Sequence, residues 1–238
     1  MPPKKSLILL YHRNKSKLVF LVIFIVFFAL FYIVARLFSV THISLSGSDS
    51  INGLDQLSQK NIFFISISAT EKNLYTANPY LQSVKIIKQY PDSLHIIVQK
   101  ALPTVQLVVD GGFFLLANDG RIIAKQRTKI PDISTVNYYQ QLHFNEYEIG
   151  ALLSKKDILF NVFFVHNFTK MGITVDTVDI INLNMIVLNT KDKTYLFTAD
   201  KEKEVQFEAF QRIYTYMNVE GIEYKSLDMR FEKPIIKI

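Results

Sequence analysis

The side chains best suited to recognition chemistry in this sequence lie close together in the stretch SLDMRFEKPIIKI, residues 226–238. Arg230 and Phe231 are neighbours, Asp228 precedes them by two positions, and Pro234 comes before Ile235, Ile236 and Ile238. An arginine guanidinium offers a carboxylate a planar fork of donors, and an exposed ring is an anchor. Proline has no N–H to donate, which suits a sheet edge and not a central strand. An apolar, unpaired edge invites aggregation, so isoleucines kept there imply a regular occupant. A partner strand can add to such an edge, backbone hydrogen bonds giving affinity and side-chain pockets giving choice. Arg230, Phe231, Pro234, Ile235, Ile236 and Ile238 are therefore the candidate partner-binding residues. The competing reading is a last core strand in which Asp228 and Arg230 satisfy each other.

Catalytic chemistry finds little support. The five histidines, His12, His42, His95, His143 and His166, share no metal-ligand spacing. The eight glycines form no phosphate-cradling pattern. There is no Ser-x-x-Lys and no Gly-x-Ser-x-Gly, so the serine-hydrolase and penicillin-binding signatures are missing. Glu146 and Glu148 are paired acids of a kind that 21 acidic residues produce by chance. The Asn167–Phe168–Thr169 glycosylation pattern falls on a predicted helix. With no cysteine, disulfides, thiolate chemistry and cysteine metal sites are excluded. No cofactor, metal or small-molecule substrate is expected, and the chain reads as a binding protein and not an enzyme.

Charge is distributed unevenly. Of 27 basic residues, six (Lys4, Lys5, Arg13, Lys15, Lys17 and Arg36) fall in positions 1–38, which hold no acid. The remaining 200 residues are formally neutral, so the pI of about 9.3 does not describe a basic folded surface and argues against nucleic-acid binding. Between Lys17 and Arg36 runs LVFLVIFIVFFALFYIVA, 18 residues without a charge. As a helix it would measure roughly 27 Å, close to the hydrocarbon thickness of a bilayer. It is apolar on every side, unlike a core helix, and ARLFSVTHI offers no small-residue cleavage site. The expectation is a retained span over residues 18–37. The basic tail, residues 1–17, would stay cytoplasmic and residues 38–238 would lie outside the cell membrane.

The elements that must position the candidate residues are read as α+β. Residues 38–102 read β-α-α-β-β. VTHISLSG is a strand, NGLDQLSQKN and SATEKNLYTANP are helical patterns with IFFISI extended between them, and LQSVKIIKQ and SLHIIVQKAL flank the turn YPDS. Leu94, Ile96 and Val98 alternate with His95, Ile97 and Gln99, as a half-buried strand requires. Residues 103–238 read as a mostly antiparallel α+β unit. Three strands (TVQLVVD, GGFFLLAN, GRIIAKQ) are joined at Asp110–Gly111–Gly112 and Asn118–Asp119–Gly120, and a loop holding Pro131 follows. One helix runs from a Ser154 cap to Gly172 and another from an Asp200 cap to Gly221. Strands lie between the two helices and again over 226–238.

The order of these parts resembles the FtsQ/DivIB bacterial division proteins, and the smaller unit resembles a POTRA domain. VTHISLSG resembles the first strand and turn of that family. NPYLQSVKIIKQYPDSLHIIVQKALP follows its paired strands and closing proline, with Lys100 where arginine is usual. FLLANDGRII and SLDMRF resemble its strand–Asp-Gly–strand and terminal Asp-x-Arg-aromatic strand. The resemblance implies a non-enzymatic, membrane-anchored divisome scaffold at the division septum. Its partners would be other divisome membrane proteins, the extracytoplasmic ends of FtsB/DivIC-like and FtsL-like coiled coils, together with the lipid bilayer. The helix start TADKEKE departs from the family, because a basic contact position falls on or beside Asp200, with Lys201 and Lys203 nearby. The alternative from another class is a membrane-tethered cell-wall enzyme or regulator without a linear catalytic motif. A second alternative, a secretion or outer-membrane assembly factor, needs several POTRA units and a barrel that 238 residues do not hold.

Overall fold

A computed structural model describes the backbone of residues 5–238 and the side chains of residues 19–238. The basic side chains Lys4, Lys5, Arg13, Lys15 and Lys17, and His12, lie outside the described side chains. The first element is a helix, α1 (Lys5–Leu37), so the helix begins well before the expected span. Within it Val19–Leu37 is long and apolar enough to cross a membrane and is unburied by protein. Contacts divide the chain into two compact units, one holding the residues up to Ala77 with Val84–Val98, the other Asn78–Ser83 with Gln99–Ile238.

The first unit has strand β1 (His42–Ser46), 3₁₀ turns at Asp55–Leu57 and Ile62–Phe64, helix α2 (Ile67–Ala77), and most of strands β2 (Leu81–Gln89) and β3 (Ser93–Lys100). The sheet order is β1-β3-β2. β1 runs parallel to β3 with His42 opposite Ser93 and Ser46 opposite Ile97. The three residues Tyr90, Pro91 and Asp92 join β2 to β3, a connection only antiparallel neighbours can use. Leu94, Ile96 and Val98 are buried while Ile97 is exposed, as the alternation predicts. Glu71 on α2 accepts a hydrogen bond from the Ile86 amide at 2.8 Å, pinning helix to strand.

Two expectations for this unit need correction. NGLDQLSQKN forms one 3₁₀ turn and not a helix, because Gly53 (φ 93°) and Gln59 (φ 62°) turn the chain at both sides of it. IFFISI is not extended at its start. The Asn61 side chain accepts from the Phe63 amide at 3.0 Å and starts a 3₁₀ turn, which buries Ile62 and Ile65 and leaves Phe63 and Phe64 outside.

The second unit is a nine-stranded sheet with two helices. Its strands are β4 (Val105–Val109), β5 (Gly112–Leu116), β6 (Ile122–Gln126), β7 (Ser134–Tyr138), β8 (Thr177–Asn182), β9 (Met185–Asn189), β10 (Thr194–Phe197), β11 (Ser226–Asp228) and β12 (Ile235–Lys237). Helix α3 (Lys156–Lys170) follows β7, and α4 (Lys203–Val219) follows β10. The order is β12-β11-β10-β9-β8-β7-β4-β5-β6. Most pairings are antiparallel, but β4–β7, β7–β8 and β10–β11 are parallel. The last two are made by crossovers through α3 and α4, as parallel strands require. β7 was not foreseen and replaces the end of the Pro131 loop.

The helices share one face of the sheet. Phe164 and Phe168 of α3 and Phe210 of α4 are completely buried with Tyr195 and Phe197 of β10. Phe168 stacks on Phe210 with ring centroids 4.6 Å apart and meets Tyr195 edge-on at 5.3 Å. Burying each such ring contributes about 2–3 kcal/mol, and the aromatic pairings add about 1 kcal/mol each. On the opposite face, fully buried Gln106 ties down the loop after β6. Its amide nitrogen donates to the Ile130 and Ile133 carbonyls at 2.7 Å, and its oxygen accepts from the Ile130 amide at 2.9 Å. Farther along that face Asn137, Asp179, Asn189 and Thr194 form a hydrogen-bonded row across β7 to β10.

Both helix starts differ from expectation. α3 is preceded by Lys155 and α4 by Glu202, neither of which supplies a side-chain cap. Ser154 and Asp200 are therefore not the caps. Before α4, Thr198 Oγ1 accepts from the Asp200 amide at 3.2 Å. Buried Gln206 grips the Thr198 backbone through its own amide, donating at 2.7 Å and accepting at 3.3 Å. This brace delays the helix to Lys203. The C-termini match expectation: Gly172 (φ 77°) and Gly221 (φ 65°) take the left-handed turn that ends each helix.

Candidate partner-binding edge

The residues singled out at 226–238 build the outermost two strands of the large sheet. α4 returns the chain alongside β10, so β11 lies parallel to it with Tyr195 opposite Leu227. The Met229 amide extends the pairing to the Leu196 carbonyl at 2.8 Å. Leu227 and Met229 are buried and anchor the strand to the core. The chain then turns through Arg230–Pro234 and comes back as β12, antiparallel to β11, with Leu227 opposite Ile236 and Asp228 opposite Ile235. Beyond β12 no further strand pairs among the described residues. Pro234 directly precedes the edge strand, where a missing N–H costs no ladder bond.

The edge is apolar and open. Ile235 is 47% exposed, Ile236 42%, Ile238 84% and Phe231 51%. Opposed residues of an antiparallel pair share a face, so Ile236 stands on the helix side with Leu227, and Ile235 on the other side with Asp228. An added strand would thus meet apolar side chains on both faces, with Lys237 beside Ile235's face at the position opposite Ser226.

Arg230 is placed differently from a free fork. Its Nε donates to Asp228 Oδ1 at 2.9 Å, its Nη2 to Oδ2 at 2.6 Å, and its amide to Oδ1 at 3.1 Å. Burial raises the Asp228 pKa, but the hydrogen bonds and charge of Arg230 outweigh it and hold the carboxyl below the usual carboxylate range. The hydrogen bond that Arg230 donates to Asp228 raises its own pKa. The guanidinium carbon also sits 5.4 Å from the centre of the Phe231 ring. The pair therefore closes the turn and presents Phe231. The strands expected over 226–238 are interrupted here: Leu227 and Met229 belong to the sheet and core, while Phe231 stands in the turn outside the ladder.

The other candidates for chemistry are scattered. His42 lies 3.3 Å from Asp92, His95 2.7 Å from Ser44, and His143 3.3 Å from Asp110. His166 stands on α3, where burial lowers its pKa, helped by Lys170. Among the described residues no group of three or more His, Asp or Glu has metal-holding geometry. Lys201 and Lys203, near the departure from the family pattern, line a hollow of about 470 Å³ with Asp200, Lys156 and Phe160 at the start of α4. Lys203 stands 5.0 Å over the Phe163 ring. The parallel seating of β11 has no signal in the local sequence, whereas the mutual satisfaction of Asp228 and Arg230 is the part of the competing reading that the geometry bears out. The Asp-x-Arg spacing in a turn is the signal for that pairing.

Comparison with known proteins bears on the first unit. Residues 38–100 match the family described as POTRA domain, FtsQ-type. Cell division protein DivIB of Clostridium botulinum strain Hall is 34% identical over 97 residues, 41% of this chain and 37% of that protein. The DivIB of strain Loch Maree shows the same identity and coverage. The match thus spans little more than a third of the length of these relatives. The strands, turns and helix at residues 38–100 thus belong to an FtsQ-type POTRA domain, in a chain that is similar over part of its length to DivIB cell division proteins.

Proposed function

We propose that this protein is a membrane-anchored, non-enzymatic scaffold of the cell-division machinery that takes a partner strand on β12. The observation that carries the reading is the geometry of that edge. A three-residue strand stands outermost in the sheet with Ile235 and Ile236 half-exposed. The turn before it is locked by the Asp228–Arg230 pair, so the edge is pre-ordered, which lowers the entropy lost on binding. The family likeness supplies the setting, since the relatives are named as cell division proteins.

In this reading α1 spans the cell membrane, residues 1–17 lie in the cytoplasm, and residues 38–102 and 103–238 act outside it at the septum. The basic residues before the apolar run and the lack of acids there support that orientation. The partners are the extracytoplasmic ends of FtsB/DivIC-like and FtsL-like coiled-coil proteins. An extended segment with apolar residues at alternate positions would pair its backbone with β12. Its side chains would meet Ile236 on one face and Ile235 on the other, while Phe231 anchors the end and Pro234 and Ile238 bound the site.

The test replaces Phe231 and Ile235 together by glutamate in the full chain. Both side chains are about half-exposed, so the fold is expected to survive, as circular dichroism would show. Loss of the co-purifying coiled-coil proteins from a folded variant supports the reading. Undiminished co-purification overturns it.

A further inference from the structure

α1 is not followed by a loose linker. Its last turn is fastened to the first unit by the 3₁₀ turn at Ile62–Phe64. Asn61 Nδ2 donates to the Ala35 carbonyl at 3.3 Å, Ser39 Oγ donates to the same carbonyl at 3.0 Å, and the Ile62 amide donates to the Phe38 carbonyl at 2.8 Å. The Val40 amide donates to the Lys60 carbonyl at 2.9 Å. The end of an apolar helix and one end of the folded unit are thus a single hydrogen-bonded piece.

Three aromatic rings gather at that piece, and Phe64 follows one of them in the chain. Phe38 lies 4.7 Å from Phe63 between ring centroids, and Phe63 lies 5.4 Å from Tyr90. Tyr90 belongs to the β2–β3 turn, which the Thr41 amide holds by donating to the Asp92 carbonyl at 2.9 Å. Phe63 is 56% exposed, Phe64 89% and Tyr90 58%. Single exposed apolar residues are ordinary, but here they come from two separate segments and adjoin half-buried Phe38, one residue beyond the span Val19–Leu37. Arg36 and Lys60, which precede Phe38 and Phe63 by two and three positions in the chain, are exposed. Asp92, the acid of the β2–β3 turn, is held by Thr41, Ser93 and His42.

Rings with apolar bodies, flanked by basic side chains, concentrate at the headgroup level of membrane-spanning helices. We propose that Phe38, Phe63, Phe64 and Tyr90 form an interfacial belt that seats the first unit on the lipid headgroups of the leaflet at the C-terminal end of α1. The continuity of the belt with the apolar helix selects a bilayer as the occupant. The unit is then held against the membrane by its own surface as well as by its anchor. This rests on α1 spanning a membrane, as proposed above.

The chain contains no tryptophan, so single-tryptophan variants report position cleanly. The full chain carrying Phe64→Trp, Ile97→Trp or Phe27→Trp is placed in phosphatidylcholine–phosphatidylglycerol vesicles. Quenching is read from lipids brominated near the headgroup, from lipids brominated deep in the acyl chain, and from aqueous iodide. Ile97, on β3, is exposed and lies four residues, roughly 13 Å, along the strand from Ser93. The proposal predicts that tryptophan at 64 is quenched several-fold more by the shallow bromolipid than tryptophan at 97, and is shielded from iodide. Tryptophan at 27 reads the anchor separately, through the deep bromolipid. If position 27 is quenched while position 64 is as open to iodide as position 97, the belt is wrong and the anchor stands. Equal bromolipid quenching at 64 and 97 shows general adsorption and overturns the belt. Shielding at 64 without bromolipid quenching means a protein covers it, which overturns it too. An unquenched tryptophan at 27 removes both the anchor and the belt.

Discussion

Replacing Asp228 by asparagine tests whether the turn before β12 is locked as described. The carboxylate takes three donors from one residue: the Arg230 amide, Nε and Nη2, at 3.1, 2.9 and 2.6 Å. Its side chain is 15% exposed and that of Arg230 26%, so water screens the pair less than a surface ion pair. Asparagine keeps one acceptor oxygen but loses the charge and the second acceptor. A charge-assisted hydrogen bond contributes about 1.5–3 kcal/mol, and partial exposure with the surviving acceptor reduces the expected loss to about 1–2 kcal/mol. For a domain of this size that is roughly 2–8 °C in Tm. The sign with pH follows from the direction of the shift. The folded-state pKa of Asp228 is depressed, so its stabilisation is full above the unfolded value, about 3.9, and is lost as pH falls through the folded value. The gap between the natural protein and Asp228→Asn should therefore be present at pH 7 and shrink progressively below about pH 4. Urea unfolding of the full chain in detergent micelles, followed by the tyrosine signal in near-ultraviolet circular dichroism, measures it. Equal stability at pH 7, or a gap that persists undiminished at about pH 2, would refute the lock.

Other substitutions probe the parts that hold the edge and the first unit in place. Gly47→Ala meets two obstacles, a φ of 94° and a Cβ position that falls on the Val98 carbonyl oxygen. It should lower the stability of the first unit by at least about 2 kcal/mol, read as a loss of amide protection across β1 and β3. Phe168→Ala empties the centre of the ring cluster between α3, α4 and β10 and should cost about 3–5 kcal/mol, measured by urea unfolding. Gln106→Leu removes the ties to Ile130 and Ile133 and leaves their backbone groups unsatisfied, at about 1–3 kcal/mol. Hydrogen exchange should accelerate over residues 127–133 well before β4 itself loosens.

The legible and illegible parts of the fold separate on physical grounds. β3 was readable because only one of its faces is covered, so Leu94, Ile96 and Val98 carry a clean period of two. β7 was not, since a central parallel strand is covered on both faces: Thr135 and Val136 are adjacent and both buried, and the alternation vanishes. The starts of α3 and α4 were misplaced because Ser154 and Asp200 fit a capping pattern, while the brace that sets α4 comes from Gln206 reaching back eight residues to Thr198. Leu54 and Leu57 have helical spacing, yet positive-φ residues on both sides allow only a 3₁₀ turn. At the candidate site, the edge position of Pro234 and the isoleucines followed from missing N–H chemistry and apolarity. That β11 lies parallel to β10 depends on how α4 crosses the sheet, which local sequence does not record.

The central claim is that β12 receives another chain's strand, and photo-crosslinking in the protein's own cells addresses it most directly. A photoreactive residue is placed singly at Ile235, Ile236, Lys237 or Ile238, with Val219 on α4, 77% exposed, as the comparison. The account predicts crosslinks to the same one or two membrane proteins from the β12 positions, alternating in strength along the strand as its side chains alternate in face, and none of these from position 219. Free, uncrosslinked β12 positions in dividing cells, or the same adducts from position 219, would contradict it.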